Sequence, residues 1–190
     1  KDDRTVADAH AVYMRLRSTA LRYVGFKDLG LPWPELRALA RQIKSDGRTL
    51  MLEVVSAEHE QELASVEAAA RLEVGYVLGG RRAREAVEIL KGTGIRYFPF
   101  AGRTVGLPTR LMGTADEIVD DARSLAAIPG VHGLDLLAYR HDGDVPALAQ
   151  AVVASVNVPV IAAGSIHSVE RVQAMQAAGV WGFTVGSALF

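Results

Sequence analysis

Short apolar runs alternate with amphipathic stretches along the whole chain, and this alternation limits the fold more than any other feature. Residues 49–55 (TLMLEVV), 75–78 (GYVL), 133–139 (GLDLLAY) and 159–163 (PVIAA) read as strands buried on both faces. Residues 23–29, 96–101 and 181–185 complete a set of seven, with Pro99 costing its strand a ladder hydrogen bond. Helices fill the intervals. Thr5 and Asp8 have the spacing of a capping box, for a helix reaching about Arg22. Pro34 opens a second helix, ending near Lys44. Ser56 is expected to cap a third, running towards Arg71, and residues 82–91 form a fourth. Thr114 and Glu117 form another capping box, Asp144 caps residues 145–156, and residues 168–178 make the last helix.

The order is helix, then six strand–helix repeats, then strand. It predicts an α/β fold with an all-parallel sheet covered by helices. An open doubly wound sheet would usually carry a glycine-rich dinucleotide turn after its first strand. No G-x-G-x-x-G stands at a strand-to-helix junction, and Gly79-Gly80 is the nearest approach. The expectation is therefore a parallel (β/α)8 TIM barrel, a single domain over residues 1–190. A complete barrel would add a strand before Lys1 and a helix after Phe190, so the chain reads as lacking its first strand and last helix.

Composition narrows the function classes. The net charge of −1, from 21 basic and 22 acidic residues, argues against a general nucleic-acid or membrane-surface binder. The absence of cysteine removes disulfides, thiolate chemistry and cysteine metal sites, and fits a cytoplasmic protein. No apolar run approaches the roughly 20 residues that span a bilayer. The sequence neither demands nor excludes a homo-oligomer.

Barrel active sites form at the carboxyl ends of the strands. Of the four lysines only Lys27 lies in a predicted strand. Val24 and Phe26 take the helix-facing positions there, which turns Lys27 inward. The same parity sends Leu50 and Leu52 outward and Glu53 inward. Lys27 and Glu53 then stand on neighbouring strands, where each would tune the other's pKa and either could move a proton. A structural ion pair is the alternative. Asp135, between Leu134 and Leu136, is a third inward carboxylate, catalytic or a structural acceptor. Arg103, Arg140, His141 and His167 fall on loops past strand ends. Arg103, Arg140 and His141 are the substrate-binding candidates. No cofactor is expected; a divalent metal on Glu53 and Asp135 stays open. Residues 102–113 (GRTVGLPTRLMG) form the longest connection, suited to a lid or to a flexible surface loop.

Two turns follow adjacent strands, Gly164-Ser165 and Gly186-Ser187. Glycine there lets backbone N–H groups approach a ligand, and the hydroxyls add donors. A phosphate site is expected at this pair, the alternative being plain strand-ending turns.

Residues 158–190 (VPVIAAGSIHSVERVQAMQAAGVWGFTVGSALF) resemble the last strand–helix–strand of the ribulose-phosphate-binding barrels. That superfamily includes the histidine- and tryptophan-biosynthesis isomerases and the sugar-phosphate epimerases. Where the histidine-pathway isomerases read P-V-I-A-x-G-G-I, this chain reads PVIAAGSI at 159–166, with Ser165 in place of the second glycine. The resemblance implies a phosphorylated small-molecule substrate, bound through Gly164, Ser165, Gly186 and Ser187. It also implies isomerisation or epimerisation by proton transfer next to a carbonyl. Two alternatives keep the phosphate site: a carbon–carbon lyase with Lys27 as Schiff base, and a non-catalytic regulatory barrel.

Overall fold

The computed structural model describes residues 3–186 and residue 188. They fall into two compact units, Lys1–Arg96 and Tyr97–Phe190.

The first unit carries α1 (Ala9–Leu16), β1 (Tyr23–Lys27), α2 (Trp33–Ser45), β2 (Thr49–Val54), α3 (His59–Leu72), β3 (Tyr76–Gly79) and α4 (Ala83–Leu90). Its strands run parallel, with Lys27 opposite Glu53 and Glu53 opposite Leu78. Burial alternates along β2: Leu50, Leu52 and Val54 are buried, and Met51 and Glu53 are only half-buried. The buried set faces the helices, and α2 and α3 both pack on β2. Parity thus separates a greasy face from the face that carries Lys27 and Glu53. On the outside, the Asp46 carboxylate at the end of α2 accepts from the Tyr13 hydroxyl at 2.6 Å and the Arg17 guanidinium at 2.8 Å. These two donors hold its pKa down to about 2 and fasten α1 to α2.

β4 (Arg96–Phe98) lies across the boundary of the units. The second unit continues with β5 (Arg103–Val105), β6 (Arg110–Met112), α5 (Ala115–Ala126), β7 (Leu134–Leu136), a 3-10 turn (Ala138–Arg140), α6 (Val145–Ser155), β8 (Val160–Ala162), α7 (Val169–Ala177) and β9 (Gly182–Phe183). β7, β8 and β9 are parallel, with Asp135 opposite Ile161 and Ile161 opposite Gly182. Pro99 has no N–H to give, but its carbonyl accepts from Asp135 N–H at 2.9 Å. The proline therefore sits where only an acceptor is required.

The predicted helices and strands are present, most with shorter bounds, α2 one residue longer at each end and β3 shifted by one, and three local expectations change. Thr5 does not cap α1. Its hydroxyl donates to the Lys27 carbonyl at 2.7 Å and accepts from Lys27 N–H at 2.9 Å, while Thr5 N–H reaches Leu29 O. The strand backbone outcompetes the helix end for this side chain. Ser56 does not cap α3, which starts at His59; its hydroxyl donates to Asp28 instead. Residues 102–113 are not a plain loop, because β5 and β6 pair there as an antiparallel hairpin. The other caps stand. Thr114 and Glu117 complete their capping box and Asp144 accepts from Ala147 N–H; Ser168, expected only as the first residue of its helix, caps α7 by accepting from Arg171 N–H. Thr114→Ala should lower stability by about 1 kcal/mol in chemical denaturation, the usual worth of such a cap. An unchanged midpoint would show α5 held by packing alone.

Candidate functional site

Strand parity brings one charged cluster together in the first unit. The Lys27 Nζ lies 3.0 Å from Glu53 Oε1 and 2.8 Å from Asp3 Oδ1. Its side chain keeps 24% of its exposure, against 4% for Asp3 and 13% for Glu53. Glu53 was legible from parity. Asp3 was not, because it precedes every recognisable element and arrives only as the segment beside β1 lies along the strand. Burial alone would push the Lys27 pKa down. The charges of Glu53 and Asp3 and their hydrogen bonds outweigh it, and the net direction is up. Lys27 is therefore an ammonium at neutral pH, a hydrogen-bond donor and local positive charge rather than a free amine. Beside it, Asp28 staples the ends of β1 and β2. It is 5% exposed and accepts from Val55 N–H at 2.9 Å and from the Ser56 hydroxyl.

A second carboxylate, unforeseen in the sequence, shapes the turn after β3. Glu62 on α3 is fully buried. Its Oε1 accepts from the N–H groups of Arg81 and Arg82 at 2.6 and 2.7 Å, and its Oε2 pairs with the Arg82 guanidinium at 2.5 Å. Gly79 and Gly80, at φ of 77° and 78°, turn the chain towards those bonds. The sequence signal was a glutamate among the buried α3 residues Ser65, Val66 and Ala69.

In the second unit, Gly164 and Ser165 are consecutive left-handed residues, at φ of 75° and 57°. A Cβ on Gly164 would come within 2.8 Å of Arg140 Cγ, so glycine is needed for the arginine stem to lie there. Arg171, which the sequence did not single out, donates to the Ser165 carbonyl. Its guanidinium stacks on the Tyr139 ring at 4.3 Å. Arg140 also donates to Thr109 O at 3.3 Å. These contacts gather two arginines around the Gly164–Ser165 turn, and arginine forks match phosphate oxygens.

The remaining candidates are placed differently. His141 has both ring nitrogens engaged: Nδ1 accepts from Gly143 N–H at 3.0 Å, and Nε2 lies 2.9 Å from Gly113 O. With the Arg110–Asp142 ion pair, it fastens the β5–β6 hairpin to the segment after β7. Arg103 is exposed on β5, opposite Met112. Asp135 is fully buried within β7, between Leu134 and Leu136. Gly186 is exposed, with open space where a Cβ would stand. Ser187 lies outside the described residues. His167 is exposed. Among the described residues no group of three or more histidine, aspartate or glutamate side chains is arranged to hold a metal ion. No helix among them is long and apolar enough to cross a membrane.

No protein-family model matches the chain, and no curated protein matches its sequence. Solved structures do match. A FabK mutant from Thermotoga maritima aligns at 21% identity and a TM-score of 0.59, over 82% of this chain and 49% of that one. The chain thus spans about half the length of that protein. A glycerol uptake operon antiterminator regulatory protein from Listeria monocytogenes aligns at 17% identity and a TM-score of 0.70, covering 98% of this chain and 93% of that one. An HpcH/HpaI aldolase from Desulfitobacterium hafniense aligns at 11% identity and a TM-score of 0.68, covering 96% and 85%. These likenesses place the chain in the α/β class of parallel (β/α) TIM-barrel folds.

Proposed function

We propose that the protein is an enzyme acting on a small phosphorylated carbonyl compound by moving a proton next to the carbonyl. The observation that carries this reading is the Lys27 ammonium set between Glu53 and Asp3 at the carboxyl end of β1. A fixed cation there suits a carbonyl oxygen that gains negative charge as its neighbouring carbon loses a proton. Glu53 is the base that takes the proton and returns it to the same or the adjacent carbon. That step serves isomerisation and epimerisation; in carbon–carbon cleavage the same cation would stabilise an enolate left by the broken bond as Glu53 takes the proton of the β-hydroxyl. The raised pKa of Lys27 favours this electrostatic role over Schiff-base formation, which needs the free amine. In the second unit, taken by itself, we assign phosphate binding to the Gly164–Ser165 turn with Arg140 and Arg171, the part of Gly186 and Ser187 resting on their sequence alone.

A thermal-shift screen of keto- and aldo-sugar phosphates against their dephosphorylated forms tests the substrate class. Phosphorylated compounds alone should raise the melting temperature, and Arg171→Ala should remove most of that rise. Compounds that bind should then exchange the hydrogen next to their carbonyl in deuterated water, read by NMR. A stabilising ligand that shows neither exchange nor turnover would favour the second reading, a phosphometabolite-binding regulatory barrel. The end-to-end likeness to the Listeria antiterminator regulatory protein supports keeping that reading in view.

A further inference from the structure

The outer surface of the first unit carries a groove unrelated to the Lys27 cluster. It has a volume of about 460 Å3, within the range of small-ligand sites, and lies between α2 and α3. Four cations line it: Arg37, Arg41 and Lys44 from α2 and Arg71 from α3. Their spacing along α2 puts three of them on one helix face. Carboxylates at the rim neutralise only part of this charge. Lys44 pairs with Glu73 at 2.8 Å, and Arg71 pairs with Glu67 at 3.3 Å. Among the described residues no carboxylate pairs with Arg37 or Arg41, and Arg41 Nε turns to the Arg37 carbonyl at 3.4 Å. Like charges four residues apart weaken a helix unless an anion lies between them.

We propose that this groove binds a small anion bearing a diphosphate group. Two exposed arginine forks can each take phosphate oxygens in pairs, which a single lysine does not do. The positive charge is local in a chain of net charge −1, which suits a compact ligand better than a polynucleotide. Pro34, Ala40 and Leu72 give the groove an apolar portion against which a base or sugar can rest. The site is independent of the proposed reaction.

Calorimetric titration of the intact protein with inorganic pyrophosphate and with ADP, at fixed ionic strength, tests it. Wild type should bind, and the Arg37→Gln/Arg41→Gln double variant should lose at least about tenfold in affinity, as expected when charge-assisted pairs are removed. The titrations are repeated in an Arg171→Gln background, where phosphate binding at the Gly164–Ser165 turn is weakened and the loss caused by the double substitution should persist. Both substituted arginines are exposed and their mutual repulsion is removed, so the double variant without ligand should melt no lower than wild type. Equal affinity for the probes would assign the site to the diphosphate group alone, and tighter ADP binding to a nucleotide; either result supports the proposal. Absence of binding by wild type, or binding that the double variant keeps, overturns it.

Discussion

Replacing Lys27 with methionine should lower turnover of the true substrate by about 100- to 1,000-fold, the usual worth of a donor placed where negative charge develops. Glu53→Gln should lower it by about 100- to 10,000-fold, the range for a positioned acid or base. Neither should greatly alter KM for the phosphorylated substrate, because neither residue is assigned to the phosphate. The two variants should differ in stability. Lys27→Met leaves Asp3 and Glu53 facing each other without their cation, whereas Glu53→Gln keeps a hydrogen-bond acceptor and leaves Lys27 paired to Asp3. Melting temperatures must therefore be read beside the rates. Lys27→Arg supplies the remaining control: it keeps the charge, so the unit should stay folded while the altered geometry impairs the chemistry. Near-normal turnover in both Lys27→Met and Glu53→Gln would make the cluster a structural ion pair.

The second large effect is expected at Glu62. Glu62→Ala should cost about 3 kcal/mol in chemical denaturation, the lower end for breaking a buried pair, because Arg82 keeps 28% of its side-chain exposure. Two backbone N–H groups, of Arg81 and Arg82, lose their acceptor in the same step. Glu62→Gln should cost less, since the amide oxygen still accepts from both backbone N–H groups, but it too loses the pair with Arg82. If the two variants lose equally little, the carboxylate is not what holds the turn after β3.

Much of this could be read from residue order. Val24, Phe26, Leu50 and Leu52 claim the helix-facing positions, so Lys27 and Glu53 had to share the other face. Slipping either strand by one residue would turn its apolar set to the wrong side. Thr114 and Asp144 were legible as caps because each is a hydroxyl or carboxylate at the head of a periodic stretch. Thr5 and Ser56 carry the same local signature, yet long-range partners claim their hydroxyls, and no spacing rule reveals that. The β5–β6 hairpin was missed because strands of three residues show no period. Asp3 and Arg171 were missed for a different reason. Their roles exist only once residues 24 apart, Asp3 and Lys27, or a helix and a separate turn, Arg171 and Ser165, have met.

The segment stitched along β1 also has a colloidal consequence. A strand with a bare row of N–H and C=O groups is a template on which another chain can assemble. Here Thr5 occupies both backbone groups of Lys27 and takes the Leu29 carbonyl, and Gly30 fits against it so tightly that a Cβ would lie 2.2 Å from Thr5 O. Residues 3–5 thus cover the carboxyl end of β1, where Lys27 would otherwise offer both backbone groups to another strand. A purification tag or fusion partner that tugs this segment away would uncover the strand and, through Asp3, loosen the lysine as well. Aggregation and loss of the charged cluster would then arrive together, from the displacement of one short segment.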